Sequence, residues 1–372
     1  MNYAKLAVAF LLSLAASSLS ARELKTRNVV LITADGLRHQ ELFTGVDPML
    51  LDDKKGSGIQ NVESLRERYW RDTPDERRET LLPFFWGTLA PRGIVLGNVA
   101  RGSRVHLTNP HRISYPGYAE ILTGRAQEAI RDNSPVRNPS ETVLEIVRRN
   151  LDLDQKRVAA FASWSVFDFI TAREEGAIFS NAGYEAMPKD VLTPAMEPLN
   201  RLQFDMMTPW DTVRFDSVTL GLALEYLKTY RPRFLYLALG ETDDWAHDRR
   251  YDRTIHAVRL FDDALRELWN LLQSLPEYRD KTTLVLSTDH GRGRTTKDWT
   301  SHGSDVEGSD EIWIAFIGPD TPDRGEVAHS EVFTQNQIAA TVLTLFSLEP
   351  EELAPGSGRP IELALESVEA QD

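Results

Sequence analysis

Six side chains with the donor chemistry of divalent-metal ligands stand where apolar runs of this chain break off or in the loop that follows. Thr282-Thr-Leu-Val-Leu-Ser-Thr-Asp-His-Gly291 is a short β-type run ending in an acid, an imidazole and a glycine. A buried strand has no use for Asp289 and His290. Their place past its carboxyl end puts both at the rim of a sheet, where open α/β folds hold their ligands. Asn28-Val-Val-Leu-Ile-Thr-Ala-Asp-Gly-Leu37 repeats the pattern with Asp35. A third apolar run, Phe234-Leu-Tyr-Leu-Ala-Leu-Gly240, leads straight into Glu241-Thr-Asp-Asp-Trp-Ala-His247. Asp243 and His247 are four positions apart, so a helical turn projects them from one face. His302, in Ser301-His-Gly303, follows in a polar loop. Each feature has a plainer reading alone: an Asp before Gly caps turns, and an acid and a His at this spacing often form a surface ion pair.

A nucleophile candidate is Ser114, in Ile113-Ser-Tyr-Pro-Gly-Tyr-Ala-Glu-Ile-Leu-Thr-Gly124. It stands at the N-cap place of a short helix, with Pro116 in the first turn and Gly124 as the stop. A hydroxyl there faces the positive end of the helix, which favours its alkoxide and a bound phosphate. Most serines in such turns only cap. With the three Asp and three His, however, Ser114 completes a constellation at several strand ends that share one sheet edge. Three carboxylates and three imidazoles without thiols suit two divalent ions, each keeping an open position. Two ions about 4 Å apart clamp the attacking and leaving oxygens of an in-line displacement at phosphorus.

The elements that must position these residues alternate strand and helix. Gly93–Asn98, Arg104–Thr108, Arg157–Ala162 and a last long run, Glu311–Gly318, read as further strands. Helices are predicted from Asn138, as cap, to Arg149, over 212–230, over 253–275 by the apolar spacing of Ile255, Val258, Phe261, Leu265, Leu268 and Leu272, and over 334–346. This alternation predicts an α/β fold, a three-layer sandwich with a largely parallel central sheet and helices on both faces.

At 372 residues and 41% apolar content the chain can bury one large core, and a single catalytic domain over residues 21–372 is expected. Two segments interrupt it. Residues 45–92, charge-rich with a short helix at 61–70, read as an insertion over the sheet edge. Residues 164–211, with Trp164, Phe167, Phe169, Tyr184 and Trp210, read as a lid or substrate wall, or else as a packing insertion with no ligand role. Residues 1–20 have one Lys, an apolar run and then small residues, the layout of a secretory signal peptide cleaved after Ser20. The apolar run is too short for a span, so a periplasmic or secreted protein is expected. Without cysteine there are no disulfides and no thiolate ligands. A net charge of −14 argues against a nucleic-acid polymer as partner but not against a small phosphate ester, because bound cations reverse the local field.

In order and context these motifs resemble the alkaline phosphatase superfamily, and within it most the nucleotide pyrophosphatase/phosphodiesterase branch. The matching stretches are Leu31-Ile-Thr-Ala-Asp-Gly-Leu-Arg38, Ser114-Tyr-Pro with Leu122-Thr-Gly124, Glu241 to His247, Ser287-Thr-Asp-His-Gly291 and Ser301-His-Gly303. The resemblance implies that Asp35, Asp289 and His290 hold one ion, which also activates Ser114, and that Asp243, His247 and His302 hold the other. Both ions would be zinc, with manganese or calcium as alternatives. It implies hydrolysis of a phosphoric ester through a phosphoserine. Asn133 is the nearest match to an Asn that holds a phosphate oxygen in that branch. The departures are Ser114 where the branch has Thr, which leaves diester and monoester both open, Gly117-Tyr118 in place of Asn-His, and the bulky Trp245. Two other readings compete. A sulfatase would carry Arg at position 118 and paired acids at the first strand end, where this chain has Tyr118 and Ala34-Asp35. A non-catalytic binding protein on the same fold has no missing residue to point to.

Overall fold

The computed structural model describes residues 23–52 and 56–365. The leader expected over residues 1–20 lies outside the described residues. None of the described helices is long and apolar enough to cross a membrane.

Eleven strands are present among the described residues: β1 (Asn28–Ala34), β2 (Gly93–Leu96), β3 (Arg104–His106), β4 (Val158–Ala162), β5 (Phe179–Ala182), β6 (Phe234–Leu239), β7 (Thr282–Ser287), β8 (Glu311–Ile312), β9 (Ile314–Ile317), β10 (Gly325–Glu326) and β11 (Val332–Thr334). Eight form one sheet in the order β10-β2-β9-β7-β1-β6-β4-β5, and β11-β3-β8 form a small second sheet. In the large sheet β1 pairs in parallel with both β6 and β7, whereas β9 runs antiparallel to β7 and to β2. The β1 side chains divide between two cores. Val30 and Ile32 join the core beneath helices Asp216–Tyr230 and Tyr251–Ser274. Val29 and Leu31 join the core beneath helices Ser114–Thr123, Val143–Asn150 and Gln337–Leu345. A strand buried on both faces reads as an unbroken apolar run, and this is why β1, β6 and β7 were legible. The expected three-layer α/β sandwich is the observed fold.

The topology accounts for the convergence of the acids. The strands β7, β1 and β6 are adjacent and parallel, with Thr33 level with Ser287 and Ala34 level with Leu239. Asp35, Asp243 and Asp289 therefore leave three neighbouring carboxyl ends, about one strand spacing apart, where the chain order reverses across β1.

Several local expectations are corrected. The helix predicted from Asn138 begins at Val143, because Thr142 and Glu145 form a reciprocal capping box while Asn138 Oδ1 accepts from Ser140 N–H in a tight turn instead. Ser114 is not a cap; it is the first helical residue, after an extended Ile113. The run Glu311–Gly318 is broken at Trp313, which leaves β8 in the small sheet and β9 in the large one. Residues 45–92 flank the edge strand β10, where Arg78 pairs with Glu326, and they also enter the core. Leu50, Leu65, Leu81, Leu82 and Phe85 enter the same core as Val258 and Phe261, so the segment belongs to one helical face. Its abundant charge masked this apolar subset in the sequence.

Candidate active site

Asp35, Asp289 and His290 form a first cluster on this edge. All three are buried, and His290 Nε2 is 3.5 Å from Asp35 Oδ1 and 3.5 Å from Asp289 Oδ2. Their other polar atoms are already engaged. Tyr118 donates its hydroxyl to Asp35 Oδ2 at 2.9 Å, Gly36 donates its N–H to Asp289 Oδ1 at 3.0 Å, and His290 Nδ1 is 2.9 Å from the Gly291 carbonyl. A carbonyl only accepts, so Nδ1 carries the proton and neutral His290 turns the lone pair of Nε2 inward. Asp35 Oδ1 and Asp289 Oδ2, which face it, have no hydrogen-bond partner. Three inward electron-rich atoms in a dry site repel one another, and a cation between them relieves all three. The titration behaviour agrees. Burial, reinforced by Asp289 and Asp243, pushes Asp35 well above the usual carboxylate range, and burial pushes Asp289 up to about 7. Burial likewise drives His290 well below the ordinary imidazole value.

The second cluster is arranged differently. Asp243 Oδ2 is 3.1 Å from His247 Nε2, which is 3.1 Å from His302 Nε2. His302 Nδ1 lies 3.2 Å from the Arg112 carbonyl and so donates to it, leaving Nε2 inward. Asp243 Oδ1 is already bonded to the Arg292 guanidinium. Although burial pushes Asp243 up, that guanidinium holds its carboxyl well below the ordinary range; burial lowers His302 to about 4. His247 is half-exposed at the rim. The tightest ligand-like grouping here is Asp243, His290 and His302, with His247 touching Asp243 and His302. The His290 and His302 rings stack with centroids 3.9 Å apart, which joins the two clusters.

Ser114 starts its helix beside the first cluster, with Oγ 3.4 Å from His290 Nε2. Gly117, in the same turn, packs on the Asp289 backbone; a Cβ there would sit 2.3 Å from the Asp289 carbonyl oxygen, so this close approach requires glycine. Asp35, Ser114, Asp243, His247 and His302 open into a cleft of about 220 Å³. Asn133 lines it too; its Oδ1 accepts from Tyr115 N–H at 2.9 Å, which leaves the amide nitrogen as the group for a ligand. Thus all eight residues singled out in the sequence gather in or beneath one cleft.

The 164–211 segment supplies both cleft wall and core packing. Trp164 and Trp210 wall the cleft. Phe167 packs in the core against Tyr118, and Tyr184 bonds Thr208. Trp245 lies behind Trp210, edge-on at 4.7 Å between centroids, and is not part of the lining. The remaining histidines, His39, His106, His111, His256 and His329, join no metal-type cluster among the described residues.

Three residues of the site were not singled out in the sequence. Tyr118 orients Asp35; its signal was the departure from the usual residue at that place. Asp244 lines the cleft without an ion-pair or hydrogen-bond partner for its carboxylate among the described residues, and burial and Asp243 push that carboxylate well above the ordinary range. Arg292 directly follows Asp289-His290-Gly291 and is buried, which no local sequence pattern foretells.

Comparison with known proteins agrees with this geometry. A model of the metalloenzyme superfamily matches residues 220–350, the stretch that carries Asp243, His247, Asp289, His290 and His302. No curated protein matches the chain in sequence. Among solved structures, the alkaline phosphatase PafA is similar with a TM-score of 0.58 and 11% identity, over 93% of this chain and 100% of that one. A phosphonate monoester hydrolase from Silicibacter pomeroyi is similar with a TM-score of 0.55 and 12% identity, over 93% of this chain and 78% of that one. The lipoteichoic acid synthase LtaP from Listeria monocytogenes follows with a TM-score of 0.54 and 12% identity, over 92% of this chain and 76% of that one. The chain therefore has the fold of the alkaline phosphatase superfamily.

Proposed function

We propose that this chain is a two-metal phosphoric ester hydrolase that works through a phosphoserine on Ser114, with the phosphodiesterase branch as its nearest functional relation. The observation that carries the reading is the meeting of Ser114 Oγ, the unpartnered Asp35 Oδ1 and Asp289 Oδ2, and His290 Nε2 in one buried spot. The donor set fits divalent cations. Asp35, Asp289 and His290 would hold one and Asp243, His247 and His302 the other, and bound ions would act as Lewis acids on the Ser114 hydroxyl and the ester oxygens.

The chain's own groups do the rest. The helix start holds Ser114 in place, and Ser114 Oγ forms the bond to phosphorus as the bond to the leaving alcohol breaks. Asn133 offers its amide to a non-bridging oxygen. Water then cleaves the phosphoserine ester, so the sum for a diester is diester plus water giving the leaving alcohol and a phosphate monoester, with Ser114 restored. The fit to oxygen-only and imidazole ligands supports zinc, with manganese or calcium as alternatives. No lysine or arginine lines the cleft, and the unpaired Asp244 does. That supports a diester, which carries one negative charge, over a monoester dianion, whose extra charge asks for another cation.

A sulfatase reading is less well supported, because Tyr118 fills the place of the expected arginine and is bonded to Asp35. The test is hydrolysis of bis-p-nitrophenyl phosphate, p-nitrophenyl phosphate and p-nitrophenyl sulfate by zinc-loaded protein. Turnover of the diester, lost in Ser114→Ala with both ions retained, is expected. Turnover of the sulfate alone, or turnover that survives Ser114→Ala, would overturn the proposal.

A further inference from the structure

Arg292 is a buried side chain of the site to which the ester hydrolysis above assigns no step. It is 2% exposed and directly follows the Asp289-His290-Gly291 turn. Its guanidinium holds Asp243 Oδ1, and Nη2 also donates to the Asp243 carbonyl at 3.1 Å. Nη1 donates to the Thr300 carbonyl at 2.7 Å, two residues before His302. Backbone carbonyls therefore fix the guanidinium whether or not the Asp243 carboxylate is engaged elsewhere. The charge cannot swing away when a cation arrives. Gly36 leaves the room: a Cβ there would sit 2.6 Å from Asp243 Oδ1 and 2.9 Å from Arg292 Nε.

The formal charges of the two clusters then differ. Asp35, Asp289 and neutral His290 bring two negative charges to an incoming ion. Asp243, His247 and His302 bring one, already balanced by Arg292. A divalent ion is repelled by a fixed neighbouring charge twice as strongly as a monovalent one, and in a buried site that repulsion is weakly screened.

We propose that Arg292 makes the two metal centres unequal: seated on Asp243, it renders the Asp243/His247/His302 centre the weaker one, filled second and emptied first. The inference rests on the two-metal reading. The opposing view is that Arg292 strengthens this centre by orienting Asp243, as outer partners of metal ligands commonly do. The two views predict opposite signs for the same substitution.

The test is calorimetric titration of EDTA-stripped full-length protein with zinc. The wild type is expected to take up two ions in separable steps, and Asp243→Asn to lose only the weaker. Arg292→Met is expected to tighten that weaker step by about tenfold or more and to leave the stronger one within about threefold, whereas Arg292→Lys keeps the charge and the wild-type pattern. An unchanged or weakened second step in a folded Arg292→Met protein overturns the proposal. Should that variant not fold, limited chelation of the wild type decides. The ion retained is expected to be the one whose binding survives His302→Ala and is lost in Asp289→Asn; retention of the other ion overturns the proposal. Uptake of a single ion by the wild type would instead sink the two-metal reading itself.

Discussion

The Asp35/Asp289/His290 cluster and the Asp243/His247/His302 cluster stand on the same sheet edge and draw on the same two residue types, yet they are satisfied by different means. In the first, every outer atom is bonded to protein and every inner atom faces only its neighbours, with two carboxylate oxygens left without a partner. In the second, Arg292 takes one oxygen of Asp243 and His247 approaches the other. The first is a preorganised pocket of unpartnered acceptor atoms, whereas the second closes on itself. Ligand identity alone therefore does not set the character of a metal site; the outer partners decide which atoms remain free.

Breaking the first cluster should have the largest effect. Asp289→Asn is expected to abolish tight zinc uptake and lower turnover by about a thousandfold or more, read by metal analysis and by diester hydrolysis. Ser114→Ala should lower turnover by a comparable factor, about a thousandfold, with both ions retained, since it removes the nucleophile and only one neutral oxygen. Loss of metal in that variant would assign Ser114 a structural part. His302→Ala sharpens the comparison: the weaker ion should be lost and the stronger kept, and equal loss of both would mean that the shared His290 couples the clusters into one unit.

A subtler probe is Tyr118→Phe, which removes the hydrogen bond to Asp35 Oδ2 and nothing from the second cluster. Affinity for the first ion should fall by about 10- to 100-fold, with the second step unaltered.

The smallest expected effect is on pH dependence. Asp35 and Asp289 are raised in the folded, metal-free protein, Asp289 to about 7, so the folded state holds protons that the unfolded chain has released. Stability from this pair is present at low pH and lost as pH rises toward about 7, and zinc should restore it. Melting temperatures of chelated and zinc-loaded protein at about pH 5 and pH 7.5 check the sign: the gap between them should widen at the higher pH.

How much of this was legible before the structure differs by region. β1, β6 and β7 are buried on both faces and bounded by Gly and Asp, so pattern and burial coincide, and Asp35, Asp243 and Asp289 could be placed at strand ends. The Asn138 start failed because two capping signals, Asn138-Pro139 and Thr142 with Glu145, lie within one turn of each other, and only the second leads into the apolar face of the helix. The core residues of the 45–92 segment are hidden in the sequence because one residue in a few decides burial and the average composition conceals them. Arg292 went unread because nothing in a local pattern says that a guanidinium will be enclosed.

The chain by itself determined the alternation of strands and helices and the presence of six ligand-type side chains and one serine, since these depend on local periodicity and on chemistry at run ends. Only the tertiary structure decided which atoms of those side chains stay free. Tyr118, Gly36, Arg112 and Arg292 come from a helix, turns and a loop far apart in sequence, and their hydrogen bonds to the ligand-type side chains are settled by packing across the sheet edge, which no short stretch of residues encodes.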